Sequence, residues 1–325
     1  MMNVLVTGSS GFIGRYLAAY LIRCSISVVQ AVRAQPANTL SGKTIYVGNI
    51  DSHTCWETAL ENVDMVVHLA AYAHVLDSTQ LDLDALYACN VAGTQNLVQA
   101  CLRKGVKHFV FLSSIGAIAD SSQTPLPTTA VPTPETPYGH SKLQAEQALI
   151  ALTTGQAMTW TILRPPLVYG AGNPGNMARL QRLVQWGMPL PFANVRNQRS
   201  FIYIENLVDA IATCLLSPQA QNQIFHVSDA QALSTANLIR KIANHSGCPC
   251  LLFPLPLSLL RQIGRWGDYL GQRLLHRSLP FNSHIVNKLT DSLLIDTQYI
   301  QQTLAWSPPF TVDEGLARTF AAQSQ

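Results

Sequence analysis

The first fourteen residues limit this chain more than anything that follows them. Val4-Leu5-Val6-Thr7 is a short apolar run of the kind that forms a buried strand, and Phe12–Arg23 has the spacing of a helix. Between them lies a turn in which Gly8, Gly11 and Gly14 are spaced GxxGxxG. Positions without side chains let backbone approach an anion closely, and the new helix adds free N–H groups and the positive end of its dipole. In this strand–turn–helix setting the residues Gly8, Ser10, Gly11, Phe12, Ile13 and Gly14 read as a cradle for a dinucleotide pyrophosphate. An ordinary tight turn between strand and helix is the plain alternative.

Strand and helix signals then alternate. Val28–Val32, Ile45–Val47, Met65–Leu69, His108–Leu112 and Thr159–Leu163 read as strands. Asp84–Lys104, with Gly105 suited to its C-terminal cap, and Tyr138–Leu152, entered after Pro137, read as helices. Repeated units of this kind predict an α/β fold, a Rossmann-type doubly wound parallel sheet over residues 1–170. Beyond residue 170 the alternation loosens. Helices are expected at Met177–Trp186, Asn206–Leu216, Thr235–His245 and Leu257–Leu275, and strands at Ser200–Ile204 and Ile224–Val227. Residues 171–325 are therefore expected to form a smaller mixed α/β substrate-binding lobe, interleaved with the first part. The long Ser/Thr/Pro-rich segment Ala119–Pro137 is a loop of the length that usually serves function or moves.

Composition narrows the class. Hydrophobic residues make up 48% of the chain and charged residues 12%, which favours a compact globular enzyme over a disordered chain. A formal net charge of +3 without a dense basic cluster argues against a nucleic-acid partner. The seven cysteines form no CxxC pair, which fits a reduced, cytoplasmic chain. Leu251–Leu260 is apolar but short and broken by Pro254 and Pro256, so no membrane span is expected.

Chemistry-bearing residues follow the same order as the folding signals. Strand two ends in Arg33, with no acid to hold a ribose 2′-hydroxyl, so the sequence favours NADP(H) over NAD(H); Arg15 is a possible helper, and Arg33 could equally be a solvated strand end. His68 is followed by Leu69, Ala70 and Ala71, small enough for a flat cofactor to lie against. Ser114 stands at the C-terminal end of strand five, where open α/β sheets place ligands. Tyr138 and Lys142 are one helical turn apart and share a face. A free phenol titrates near ~10, so a neighbouring ammonium and an oxidised nicotinamide are expected to lower the Tyr138 pKa. Ser114, Tyr138 and Lys142 are the expected catalytic groups, and His140 is expected on the surface.

The glycine turn "TGSSGFIG", the strand-end serine and the Tyr-x-x-x-Lys pair occur in the order of the short-chain dehydrogenase/reductase superfamily, and the chain resembles its extended branch, the NAD-dependent epimerase/dehydratase family. That resemblance implies further roles. Asn49 and Ile50 would border the adenine, although relatives carry Asp where Asn49 stands. Asn90, in "NVAGT", would support the cofactor region or a proton relay, and Pro165, in "LRPPLVYG", would lie beside the nicotinamide carboxamide. Leu167 replaces an Asn that many sugar epimerases place on the substrate diphosphate. Arg199, in "RSFIY", would bind that diphosphate as a bidentate donor.

Three segments, "ILRPPLVYGAGNPGNMARLQRLV", "RSFIYIENLVDAI" and "FHVSDAQALST", resemble the O-antigen subgroup, the UDP-N-acetylquinovosamine dehydrogenases. The substrate implied is a UDP-sugar and the assembly a homodimer through Asp84–Lys104 and Tyr138–Leu152. Ile115-Gly116 stand where 4,6-dehydratases carry an acidic pair, so dehydration is disfavoured. With Arg33 pointing to NADPH, reduction of a UDP-4-keto-6-deoxy-N-acetylhexosamine is the leading expectation. A 4-epimerase with retained NAD is the alternative, and a catalytically silent NADP-binding sensor a further one.

Overall fold

A computed structural model describes residues 2–34, 42–72, 82–271, 273 and 282–322. The main sheet has seven parallel strands. They are β1 (Asn3–Thr7), β2 (Ser27–Val32), β3 (Lys43–Tyr46), β4 (Met65–His68), β5 (His108–Leu112), β6 (Thr159–Arg164) and, after a small two-stranded sheet, β9 (Gln223–His226). Their spatial order is β3-β2-β1-β4-β5-β6-β9. The chain winds outward from β1, then crosses back to place β4 on its other side. The crevice where the direction reverses, at the C-terminal ends of β1 and β4, is where such sheets bind ligands.

Both faces of the sheet are covered, and successive residues of one strand enter different cores. Val4 and Val6 belong to one cluster with Leu17, Leu21 and Val67, whereas Leu5 joins Val66, Leu97, Phe109 and Phe111 in the other. This explains the unbroken apolar runs in the sequence. Helix α1 (Phe12–Arg23) covers the first face. The expected helix Asp84–Lys104 is one helical run with a defect: α2 (Leu83–Tyr87), a π-helical turn at Ala88–Gly93, and α3 (Thr94–Lys104). Asp82 caps its start by accepting from the Ala85 N–H, and Gly105 ends it at φ 71°. Helix α4 (Pro137–Thr153) lies against α3 and begins on Thr136, whose hydroxyl accepts from the Gly139 N–H, followed by a proline in the first turn.

The rest of the chain leaves and re-enters this frame. Strands β7 (Leu167–Tyr169) and β8 (Phe201–Tyr203) pair in parallel, with α5 (Asn176–Gln185) between them and α6 (Ile204–Leu216) after them. Strand β9, expected in the smaller lobe, instead extends the main sheet beside β6. Its Phe225 is fully buried, and its register runs from Thr161↔Gln223 to Arg164↔His226. The helices that follow are α7 (Thr235–Ser246), α8 (Leu257–Leu270), α9 (Ser283–Thr290), α10 (Gln298–Leu304) and α11 (Val312–Ala321). The last three carry no expectation from the sequence. The expected helix Leu257–Leu275 is seen to Leu270; part of its end lies outside the described residues.

The long Ser/Thr/Pro-rich segment is tied down. The Ser122 and Leu126 N–H groups donate to the Ser292 and Leu294 carbonyls, and the Asp296 N–H donates to Leu126. Ile115 and Ile118 bury against Leu293 and Ile295. The loop thus clamps the segment after β5 to the segment after α9. Among the described residues no helix is long and apolar enough to cross a membrane.

Candidate active site

A cavity of about 1030 Å³ opens at the switch point of the sheet. Its wall contains Gly8, Ser10, Gly11, Phe12, Ile13 and Gly14, then Arg33, Asn49, Ile50, Leu69, Ala70 and Ala71, and then Ser114, Tyr138, Lys142 and Pro165. Segments far apart in sequence therefore meet where the pattern placed them. Gly11 caps α1 without any side-chain hydrogen bond, which leaves the first-turn N–H groups of α1 free for an anion. A Cβ on Gly14 would lie 2.2 Å from the Gly8 carbonyl oxygen, so only glycine lets α1 start this close to β1. These features fit a dinucleotide: an uncapped helix start on a glycine turn, a small-residue strand end beside it, and a cavity of sufficient size.

Two expected contacts are not in the cavity wall. Asn90 is buried in the π-turn, where its Oδ1 accepts from the Tyr72 N–H at 2.7 Å and its Nδ2 donates to Ser141 Oγ at 2.9 Å. It holds the cavity-lining backbone at Tyr72 and helix α4 in place and is not itself part of the cavity wall. Arg199 is held by backbone pairing with Leu233 and Leu293, and its Nη1 donates to the Asp291 carbonyl at 3.1 Å. It is near enough to Lys288 for its charge to help lower the pKa of that ammonium. Arg15, the possible helper, is not in the wall either. His140 is exposed, as expected.

The three residues expected to be catalytic, Ser114, Tyr138 and Lys142, sit on rigid supports. Ser114 Oγ accepts from the Gly116 N–H at 3.1 Å and caps a short 3₁₀ turn at Ile115–Ala117. That turn touches α4 where Gly139 leaves room: a Cβ there would meet the Gly116 oxygen at 2.2 Å. Ser141 Oγ donates to the Tyr138 carbonyl at 2.8 Å. Burial pushes the Tyr138 phenol up to about 12, and Lys142 does not figure among the causes of its shift. The lowering expected from the sequence needs an oxidised nicotinamide beside the ammonium; in the protein alone desolvation sets the direction. The same burial brings Lys142 down to about 8, against the upward pull of Glu146. Lys142 Nζ lies 4.3 Å from the centre of the Phe111 ring.

Glu146 escaped the sequence reading. It stands one turn beyond Lys142 and is fully buried, with Arg164 Nε at 3.0 Å from Oε1 and Nη2 at 2.6 Å from Oε2. This pair fastens α4 to the end of β6, immediately before Pro165. Its signal was a glutamate four residues after the lysine, but only the fold supplies the arginine.

A second network runs beneath the cavity floor. The Leu69 and Ala70 N–H groups both donate to Thr7 Oγ1 at 3.2 Å, so the Thr7 proton is free to go to His68 Nδ1 at 2.6 Å. His68 Nε2 then donates to Thr94 Oγ1 at 3.0 Å, and Thr94 donates to the Asn90 carbonyl at 2.8 Å. This order needs His68 neutral, and burial with the nearby Lys142 cation brings its pKa down to about 3. His68 is thus a structural link between β1, β4 and the π-turn.

Alongside apolar Leu167, Val168, Met177 and Ile285, the second half of the chain gives the cavity wall five polar residues: Asn173, Arg179, Asn282, His284 and Lys288. Asp120, from the clamped loop, lies within electrostatic reach of His284, Lys288 and Arg199. None of the five polar cavity residues was expected, since α9 carries no strong sequence pattern.

Residues 4–228 match the model of the NAD dependent epimerase/dehydratase family. The chain is 38% identical over 324 residues to the UDP-glucose 4-epimerase of Vibrio cholerae, covering 98% of this chain and 95% of that enzyme. It is 26% identical over 321 residues to the N-acetyl-alpha-D-glucosaminyl-diphospho-ditrans,octacis-undecaprenol 4-epimerase of Escherichia coli O157:H7, covering 98% and 94%. Among solved structures it superposes on MoeE5 in complex with UDP-glucuronic acid and NAD with a TM-score of 0.79 at 24% identity, covering 99% and 100% of the two chains.

Proposed function

Because this chain belongs to the NAD dependent epimerase/dehydratase family, we propose that it inverts C4 of a UDP-linked hexose with NAD. One observation carries the reading: Ser114, Tyr138 and Lys142 share a single cavity wall with an uncapped helix start on a glycine turn. The resemblance to a UDP-glucose 4-epimerase over nearly the whole chain supports the reaction. It reverses the order expected from Arg33, in which reduction with NADP(H) came first.

Gly11, Ile13 and the first turn of α1 would hold the pyrophosphate, and Lys142 the nicotinamide ribose hydroxyls. A bound nicotinamide supplies the acceptor and donor of the C4 hydrogen. Tyr138 would take the proton from O4 during oxidation and return it to O4 as hydride comes back to C4 from the other face of the ketone. Ser114 would donate to the same oxygen, more strongly as negative charge builds there. The phenol is a poor base at about 12, so the positive charge of Lys142 and of the oxidised ring is what makes proton abstraction possible. Arg179 and Lys288 face this wall and suit the substrate diphosphate, a role expected of Arg199.

A 4-ketoreductase on a UDP-4-keto-6-deoxy-N-acetylhexosamine is the second reading, favoured by Arg33 on the cavity wall where a 2′-phosphate could be met. One experiment separates the two. The purified chain is incubated with UDP-glucose or UDP-N-acetylglucosamine and NAD, without reductant, and the products are followed by NMR. Appearance of the C4 epimer supports the proposal. No interconversion, with NADPH consumed on the 4-keto sugar, replaces it with the second reading.

A further inference from the structure

A second, smaller cavity of about 350 Å³ lies outside the large one and shares no residue with it. It is a cleft between residues 193–198, ahead of β8, and the first turns of α7. Its volume is within the range of small-molecule sites. The wall carries Arg196, Gln198, Asn237 and Arg240, and no acidic side chain lines it.

The floor of the cleft is firmly held. Asn197 is buried, with Oδ1 accepting from the Thr235 N–H at 2.9 Å and Nδ2 donating to the Leu289 and Asp291 carbonyls at 3.2 and 3.1 Å. Ser234 Oγ accepts from the Asn237 N–H at 3.1 Å. These bonds already satisfy two N–H groups in the first turn of α7, so the character of the cleft comes from its side chains. Asn237 and Arg240 share one face of α7. Arg240 Nη1 donates to Asn237 Oδ1 at 2.9 Å, which turns the guanidinium back toward the start of the helix and leaves the Asn237 amide N–H groups to donate elsewhere.

Charge in the cleft is unbalanced. Among the described residues Arg196 has neither an ion pair nor a hydrogen bond to its side chain, and Arg240 has no ion pair. Two guanidiniums beside the positive end of a helix are disfavoured by its dipole and by each other, a cost that an anion between them removes. Each guanidinium is a planar fork of donors that fits a pair of phosphate oxygens. A single carboxylate has only two oxygens for the two forks, whereas a diphosphate has enough for both and for the Gln198 and Asn237 amides. We propose that this cleft binds a small phosphate-bearing anion through Arg196 and Arg240. The site is separate from any ligand of the large cavity and does not depend on the reaction performed there. It is nevertheless tied to that cavity: Asn197 and Thr235, whose Oγ1 donates to the Leu289 carbonyl at 2.6 Å, fasten the cleft to the end of α9, which gives His284 and Lys288 to the cavity wall.

The test is calorimetric titration of the full chain with inorganic pyrophosphate, with UDP present to occupy the large cavity. Saturable binding that weakens as salt rises is expected. Arg196→Ala with Arg240→Ala should weaken it about tenfold or more while the melting temperature stays unchanged, because both side chains are exposed. Arg179→Ala, in the wall of the large cavity, should leave it within about twofold. No saturable binding by the wild type, or binding that the double variant retains in full, overturns the proposal. So does acetate binding as tightly as pyrophosphate, which would show only a loose attraction of counter-ions.

Discussion

Tyr138 and Lys142 show how one environment sets two proton affinities in opposite senses. Desolvation favours the neutral form of each, raising the phenol and lowering the ammonium. Tyr138→Phe removes the proton carrier and leaves the glycine turn untouched. Turnover should fall by about 10²–10⁴-fold with cofactor affinity nearly unchanged, measured by coupled assay and fluorescence titration. Retained turnover would remove Tyr138 from the mechanism. Glu146 acts one step further back, supporting the Lys142 charge while neutralising Arg164. Glu146→Gln should cost about 3–5 kcal/mol in urea unfolding, because a buried guanidinium is left without its anion. In a variant that still folds, the Lys142 pKa should drop and the alkaline limb of the pH–rate profile should move down with it. An unmoved limb would reduce Glu146 to a purely structural residue.

Elements in this protein are held at distances that only particular residues permit. Helix α1 meets the glycine turn at Gly14, and α4 meets the Ser114 turn at Gly139. Gly14→Ala forces α1 away from the Gly8 carbonyl and should cost about 1–3 kcal/mol of stability. Its effect on cofactor binding should be larger than its effect on the melting temperature, since the free N–H groups move with the helix. Equal binding by wild type and variant would show that the helix start is not the anion site. The π-turn at Ala88–Gly93 is the element with the least visible sequence signal. It aims Asn90 inward while Ala88 and Cys89 face the cavity, two tasks that a regular helix separates differently.

Among the described residues three histidines, His68, His108 and His226, are buried and neutral. Burial brings His68 down to about 3, and His108 and His226 to about 4. Each folded-state pKa lies below the unfolded value of about 6.5, so between the two the unfolded chain binds the extra proton. Stability is therefore greatest above about pH 6.5 and falls as the solution is acidified toward the folded values. From pH 7 to pH 5 the loss should be about 2 kcal/mol for each histidine, read as a lower urea midpoint at constant slope. A midpoint independent of pH over that range would mean that these rings are hydrated or charged in the native state.

Local chemistry was enough to reveal the glycine turn at the start of α1, the parallel sheet, and the three residues, Ser114, Tyr138 and Lys142, that meet in one cavity wall. Each rests on short-range patterns: glycines between a strand and a helix, apolar runs buried on two faces, and a tyrosine and lysine one turn apart. The far wall of the cavity was not legible. Arg179, His284 and Lys288 lie on helices whose sequences resemble any amphipathic surface helix, and only packing turns them toward Ser114. Packing likewise kept Arg199 out of the cavity wall, turned Asn90 toward Ser141, and carried β9 into the first sheet. The physical reason is the same throughout. Periodicity fixes which face of an element is apolar, but which neighbour that face meets is decided by contacts between residues fifty or more positions apart, which no local window contains.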